Sequence, residues 1–290
     1  MELGNHAEFV GSMTRTEMLS MFFVHDGGET QKWRLKGHAR QPFWKWICSW
    51  AVNLRKPSDL GYEDGDFILP PLEIHQQTVK KEQAPEGFLF PVEALTLQER
   101  QQERRATVND RCTEAAKIAQ QKDRVLIWCD RNDESATLKK MIPGAVEVKG
   151  SDKPEHKEWA MLAFARGEIK ALISKPSICG FGMNFQICSD MIFVGLSDSY
   201  EQFYQAVRRC WRFGQKNTVN VHVVTAETEG AVVRNIERKE TAAMQMADEM
   251  VKHMAEFTKQ KITSTQRTMT DYHAPHRMIV PQWCQEEKCA

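Results

Sequence analysis

The sequence has no apolar run approaching the length of a membrane span, so no segment of it reads as a transmembrane helix. It has no excess of either charge. Lys plus Arg and Asp plus Glu both number 39, for a formal net charge of zero. Any binding to nucleic acid therefore has to come from local basic patches rather than from a cationic chain. There is no C-x-x-C pair among the eight cysteines, Cys48, Cys112, Cys129, Cys179, Cys188, Cys210, Cys284 and Cys289. A structural zinc is not indicated, and thiols inside runs such as LIWC and WICSW read as small core residues in a reducing cytosol. Cys284 and Cys289 with His273 and His276 could in principle bind a metal, but the spacing fits zinc only loosely and free thiols on a tail are expected, so no metal site is assigned. No internal repeat is visible, and neither G-x-x-x-x-G-K-[ST] nor a dinucleotide fingerprint occurs, so the chain holds no P-loop phosphate cradle. The opening MELGNHAEF carries acids and no basic n-region, unlike a signal peptide.

What is present, from Arg124 onward, is an alternation of strand and helix patterns. RVLIWC (124–129), AVEV (145–148), KALIS (170–174), DMIFVG (190–195) and VNVHVVT (219–225) read as strands. DESATLKKMI (133–142), PEHKEWAMLAFARG (154–167, with Pro in the first turn and Gly at the end), SYEQFYQAVRRCWRF (199–213) and a long stretch over roughly 229–260 read as helices. Such alternation predicts a parallel sheet covered on both faces. The first 122 residues are rich in Trp, Phe and Met and read as mostly helical. Within them LPPLEIHQQTV looks like a leading strand. TLQERQQERRATVNDRCTEAAKIAQQ reads as a long polar helix opened by a Thr96–Glu99 capping box, with a solvated charged face.

The stretch QAVRRCWRFGQ, 205–215, puts three arginines into eight residues. On a continuous helix Gln205, Arg208, Arg209 and Arg212 share one face, and Phe203, Ala206, Val207 and Cys210 form an opposed apolar stripe. Guanidinium groups so close together repel unless an anion lies between them, and Arg forks phosphate oxygens well. A basic solvent face without a ligand is the alternative. Upstream, SKPSICGFGMNFQ (174–186) is a Gly-containing loop at the carboxyl end of a strand, where ligands of open α/β sheets bind. Loop and arginines together suggest a surface that touches phosphates contributed by something else.

The run SKPSICGFGMNFQICSDMIFVGLSDSYEQFYQAVRRCWRFGQ resembles motifs V and VI of superfamily-two helicases and is most similar to the Swi/Snf-type translocases. The G-x-G-x-N core of motif V is matched by Gly180, Gly182 and Asn184. The Q-x-x-x-R-x-x-R-x-G-Q of motif VI is matched by Gln205, Arg209, Arg212, Gly214 and Gln215. RVLIWCDRNDES resembles the motif IV strand, MELGNHAEFVG the helix following motif III, and LPPLEIHQQTV the strand entering the second motor domain. The resemblance implies an α/β fold, a RecA-like parallel sheet with helices on both faces, preceded by a mostly helical segment. It divides the chain into a helical junction (1–72), a linker strand and polar helix (73–122), the helicase C-terminal RecA-like domain (123–240), and a C-terminal helix and tail (241–290).

By residue, the resemblance implies Arg212 as the arginine finger with Arg209 as its partner, and Gln205, Gly180 and Gly182 at the nucleotide. Ser174, Lys175 and Asn184 would contact nucleic acid. A loop role for Asn184, bonding its own backbone, is equally open. Lys175 precedes Pro176, so its backbone is held extended, which suits a phosphate contact at a strand end. Arg208 stands where the family often has an acid. Trp211 stands where it has a small polar residue or histidine, and either packs or stacks. The implied cofactors are ATP and magnesium, in a cleft between two RecA-like domains and bound mainly by the first of them.

That first domain is not in this sequence, which is expected to begin just after motif III. The expected function is the C-terminal motor half of an ATP-dependent DNA helicase or translocase, unable to hydrolyse ATP alone. The alternative is a non-catalytic nucleic-acid-binding or regulatory module derived from one. A third reading is an unrelated α/β enzyme that binds a phosphorylated small molecule. Nucleic acid, DNA by resemblance, and a first RecA-like domain encoded elsewhere are the expected partners, with no membrane. The lack of a nuclear or secretory signal fits a cytoplasmic setting in a bacterial or phage-infected cell. Near the end, Ala247, Met250, Val251, Met254 and Phe257 make an apolar helical stripe expected to dock back on the domain, and Ile279, Val280 and Trp283 are expected to tuck against the body.

Overall fold

The computed structural model describes residues 2–26, 29–79, 102, 104–180 and 182–264. The Thr96–Glu99 capping box, the tail residues His273, His276, Cys284 and Cys289, and Ile279, Val280 and Trp283 lie outside the described residues.

After α1 (Glu2–Phe9) and α2 (Arg15–Phe22), strands β1 (Phe23–Asp26) and β2 (Glu29–Leu35) form an antiparallel pair in which Phe23 faces Leu35 and His25 faces Trp33. Helix α3 (Arg40–Trp50) follows. This pair departs from the mostly helical expectation. The sequence DGG between two runs of aromatic and β-branched residues is itself a hairpin signal. Thr14 caps α2 in a reciprocal box: its hydroxyl accepts from the Glu17 N–H at 3.3 Å and its own N–H donates to Glu17 Oε2 at 2.9 Å.

The remaining strands are β3 (Leu72–Val79), β4 (Val125–Cys129), β5 (Val146–Glu147), β6 (Ala171–Ser174), β7 (Asp190–Val194) and β8 (Val219–Ala226). All pair in parallel, in the order β3-β8-β7-β4-β6-β5. Every residue of β4 and β6 is buried, as a parallel sheet covered on both faces requires. The edge strand β3 instead carries HQQT and is partly exposed throughout.

Successive side chains divide between two layers. Leu126, Trp128, Leu172, Met191 and Phe193 pack with Phe164 and Ala160 of α6 (Pro154–Arg166) and Phe203 of α8 (Tyr200–Val207). Val125, Ile127, Ile173, Ile192 and Val194 pack with Cys112, Ala115 and Ala119 of α4 (Val108–Gln120) and Leu138 of α5 (Asn132–Met141). Pro154 opens α6, and Gly167 closes it at φ 84°, the left-handed cap the sequence predicts.

From β4 the chain runs to β5 and β6 on one side, then crosses to β7 and β8 on the other. The crossing places a crevice at the carboxyl ends of β4 and β7.

Helix α9 (Gly230–Ser264) is 35 residues long and runs unbroken through residue 240. Near its start Val232 and Ile236 join the first layer. Farther along, Met250 and Met254 enter a separate core with Met18, Phe22, Phe43, Trp44 and Ile47. The apolar stripe does dock back, but onto the N-terminal unit rather than the sheet. Arg40 meets Glu249 at 2.9 Å and Arg55 meets Asp248 at 2.6 Å across this contact. No helix among the described residues is long and apolar enough to cross a membrane.

Candidate nucleotide and nucleic-acid site

Helix α8 ends at Val207, not at 213. Arg208 to Cys210 continue as tight turns, and Gly214 adopts φ 91°. The cause is local competition for carbonyls. The Arg209 C=O accepts the Phe185 N–H at 2.9 Å, so the loop after β6 takes an acceptor that a longer helix would use. The three arginines therefore do not line one helical face, which corrects the sequence expectation.

They diverge in use. Arg209 is committed inward: Nε donates to Gln205 O at 2.9 Å, one terminal nitrogen to Gln205 Oε1 at 3.1 Å, and the other to Met183 O at 3.0 Å. It thereby ties the arginine segment to the Gly180–Gln186 loop. Burial, then the neighbouring Arg212 and Arg208 charges, lower its pKa. Arg208 lies over the rings of Trp211, Phe213 and Tyr204 at 5.3, 5.7 and 6.0 Å. Arg212 is half-buried, and its guanidinium makes no hydrogen bond or ion pair among the described residues. Gln205 thus accepts from Arg209 through both its backbone carbonyl and its side-chain oxygen.

The turn carrying Arg212 is held on both sides. Trp211 packs against the first core layer and donates Nε1–H to Pro70 O at 2.8 Å, while Phe213 meets Phe67 edge-on at 5.4 Å. The segment leading into β3 is thus strapped across the arginine turn. Gln215 is buried and donates Nε2–H to the carbonyls of Gln186 and Cys188 at 2.8 and 3.1 Å, while its Oε1 accepts the N–H groups of Lys216 and Asn217.

In the loop after β6, Gly180 is dictated by space, since a Cβ there would lie 2.1 Å from Pro176 O. Gly182 is exposed at φ 75°. Asn184 Oδ1 accepts the Gln186 N–H at 3.1 Å, the local turn that was one of its two readings. Ser174 is buried and donates its hydroxyl to Val148 O at 2.9 Å. Lys175 caps the short helix α7 (Pro176–Cys179) and lines an open cleft of about 620 Å³ with Arg104, Arg105, Asp130, Arg131, Asn132 and Asp133. The crevice between the ends of β4 and β7, walled by Trp128, Phe193, Gly195 and Gln202, is only about 20 Å³, room for one water. A nucleotide therefore has no enclosed pocket there. Among the described residues no cluster of three His, Cys, Asp or Glu side chains could hold a metal ion.

Behind the cleft is a buried ionic network, on a helix whose charge pattern predicts a solvated face. Arg111 and Glu134 are wholly buried and meet at 2.6 Å. Arg111 also donates to Arg104 O at 2.7 Å and Thr107 Oγ1 at 3.2 Å. Arg104 bridges buried Glu229 at 2.9 Å and Asp130 at 2.8 Å. The second oxygen of Glu134 accepts the Asp130 and Arg131 N–H groups at 3.0 and 2.9 Å, fixing the turn that follows β4. Burial raises the Glu134 pKa, against the pull of Arg111 and these N–H donors. The available signal was Arg111 itself, which sits among Val108, Cys112 and Ala115 on the apolar side of α4.

The described residues thus form an open parallel α/β sheet whose loop after β6 carries Gly180 and Gly182 and is tied by hydrogen bonds to the arginine turn after α8. Residues 90–214 match the family model for the helicase conserved C-terminal domain. That match covers less than half of the chain and includes β4 to β7, the Gly180–Gln186 loop and the arginine turn. No curated protein matches the chain. Among solved structures it is similar to the C-terminal part of the Fun30 ATPase domain, at 19% identity and a TM-score of 0.39 over 44% of each chain. It is also similar to a DEAD box protein from the hyperthermophile Methanococcus jannaschii, at 18% identity and a TM-score of 0.40 over 45% of this chain and 37% of that one. The matched region spans less than half the length of either structure.

Proposed function

We propose that this chain is the C-terminal motor half of an ATP-dependent DNA helicase or translocase of the Swi/Snf type. Arg212 is its arginine finger, and Lys175 contacts the nucleic-acid backbone. The observation that carries this reading is the division of labour in the arginine turn. Arg209 is consumed in holding the turn to the Gly180–Gln186 loop, while Arg212 has no partner among the described residues. A guanidinium held by its neighbours yet left unpaired suits stabilisation of charge developing on a γ-phosphate. Gly180 and Gly182 let the adjoining loop come close to the nucleotide. The ATP phosphates and magnesium would be held chiefly by a first RecA-like domain, because this sequence carries no G-x-x-x-x-G-K-[ST] loop.

The test pairs the chain with a first RecA-like domain supplied as a separate polypeptide and measures DNA-stimulated ATP hydrolysis. Arg212→Ala is expected to lower the rate by about 10³-fold or more, the usual scale for an arginine finger. An unchanged rate removes Arg212 from the reaction. Hydrolysis by the pure chain that Arg212→Ala abolishes overturns the need for a first domain. DNA binding with no hydrolysis in any pairing leaves the non-catalytic binding module as the function.

A further inference from the structure

The cleft containing Lys175 is lined by four cationic and two acidic side chains, but the charges are not equally available. Arg131 is forked onto Asp133, with contacts of 2.6, 2.9 and 3.1 Å. Arg104 is held between Asp130 at 2.8 Å and Glu229 at 2.9 Å. Both acids of the cleft are therefore occupied, and so are two of its arginines. Arg105 and Lys175 remain. Neither side chain makes a hydrogen bond or ion pair among the described residues, and Arg105 is exposed. They come from different parts of the fold. Lys175 follows β6, while Arg105 lies on the helical turn 104–106 that precedes α4.

We infer that Arg105 is a second nucleic-acid contact, and that Arg105 and Lys175 together engage phosphates of one strand running through this cleft. The inference rests on the reading of the chain as a nucleic-acid motor half and extends its binding surface onto the helix before the sheet. The rigidity of the cleft supports it. The turn after β4 is fixed by Glu134, and Arg104, next to Arg105, is anchored to two acids. The free guanidinium thus projects from a backbone that the buried network holds in place. Asp130 and Asp133, both lining the cleft, would repel phosphate if unpaired. Paired with Arg104 and Arg131, they leave a net surplus supplied by Arg105 and Lys175. Contacts of this kind are to the backbone and carry no base specificity.

The surplus can be counted. Each phosphate neutralised contributes about 0.9 to the slope of log affinity against log salt for duplex DNA, and about 0.7 for a single strand. The experiment titrates a fluorescent duplex with the full chain across a salt series, using Arg105→Gln, Lys175→Gln, the double variant, and Lys140→Gln, an exposed lysine of α5 outside the cleft, as control. Each cleft variant is expected to weaken binding roughly five- to tenfold at 0.1 M salt and to lower the slope by about 0.9, with about 1.8 lost in the double variant. Arg105→Lys is expected to restore the slope, and Lys140→Gln to leave it unchanged. If Arg105→Gln keeps the parent slope while Lys175→Gln loses its share, the inference fails and the motor-half reading stands. If the parent chain binds no DNA even at low salt, that reading fails and takes the inference with it. The same phosphate chemistry could come from a nucleotide, so excess ATP is added to the bound duplex. Retention of the duplex supports a backbone site, and displacement that depends on Arg105 assigns the cleft to nucleotide instead.

Discussion

The sheet of residues 125–226 is built from neighbours, whereas the aromatic core of residues 18–47 is completed from the other end of the chain. In the sheet, Ile127 lies between Ile173 and Ile192, and the covering helices α5, α6 and α8 are the connections between the strands. In the N-terminal unit, Phe22, Phe43, Trp44 and Ile47 close only when Met250 and Met254 arrive on α9. A core assembled from consecutive βα units carries its pattern in every segment. A core shared between distant segments leaves each with an apolar face whose partner is unspecified locally. The difference also bears on coupling. The strap at Phe67–Pro70 and helix α9 are two separate links between the unit and the arginine-bearing domain.

Three perturbations sharpen this contrast. The largest effect is expected at the buried ion pair behind the cleft. Glu134→Ala strands the Arg111 guanidinium and frees two backbone N–H groups, and should cost about 3–5 kcal/mol in urea unfolding of the sheet domain. The paired replacement Arg111→Met with Glu134→Leu should cost less than either single change, because it removes the charge as well as its partner. A double variant no more stable than Glu134→Ala contradicts this account of the network.

Next in size is Met254→Ala. It should cost about 2–4 kcal/mol by the usual cost of emptying a buried Met site, with the loss confined to one region. Hydrogen exchange should show lost protection across residues 15–50 and unchanged protection across β4, β6 and β7. Uniform loss over both regions would mean that the two cores unfold as one.

The smallest effect concerns pH. His222 on β8 stacks on His75 of β3 at 4.8 Å, and its pKa is lowered to about 4 by burial first, then by Lys122 and His75, with Asp190 opposing. Its folded pKa lies below the unfolded one, so the unfolded chain takes up the proton first. The contribution is therefore full above about pH 6.5 and is lost as pH falls toward 4. Because the ring is half-buried and screened, the loss should be about 1–2 kcal/mol, less than the full shift implies. His222→Gln should flatten the stability profile over this interval, and an unaltered slope assigns the pH dependence elsewhere. Loosening should appear first at edge strand β3, where His75 and Gln77 contact the ring or its strand.

Much of the candidate site was legible as residues but not as roles. Gly180 and Gly182 stood out by spacing, and Gly180 is indeed required by the close approach of Pro176 O. Periodicity grouped Arg208, Arg209 and Arg212 on one face because it assumes a continuous helix. The Phe185 N–H on the Arg209 carbonyl ends that helix and sends the three side chains to three environments. Ser174 shows the same limit. Its position at a strand end was readable, but whether its hydroxyl turned outward or toward Val148 was not.

The sequence by itself determined the parallel sheet, because uninterrupted apolar runs such as VLIWC and ALIS, separated by amphipathic helices, can be buried only between two helical layers. It also determined which types of residue could meet a phosphate. The tertiary structure decided which of them are free to do so. Arg209, Arg104 and Arg131 are occupied by carbonyls and carboxylates from segments remote in sequence or by turns whose geometry no local pattern fixes, while the side chains of Arg212, Arg105 and Lys175 have no such partner among the described residues. The availability of a charged group depends on every acceptor that folding brings within about 3 Å of it, and that set is a property of the packed chain rather than of any one stretch.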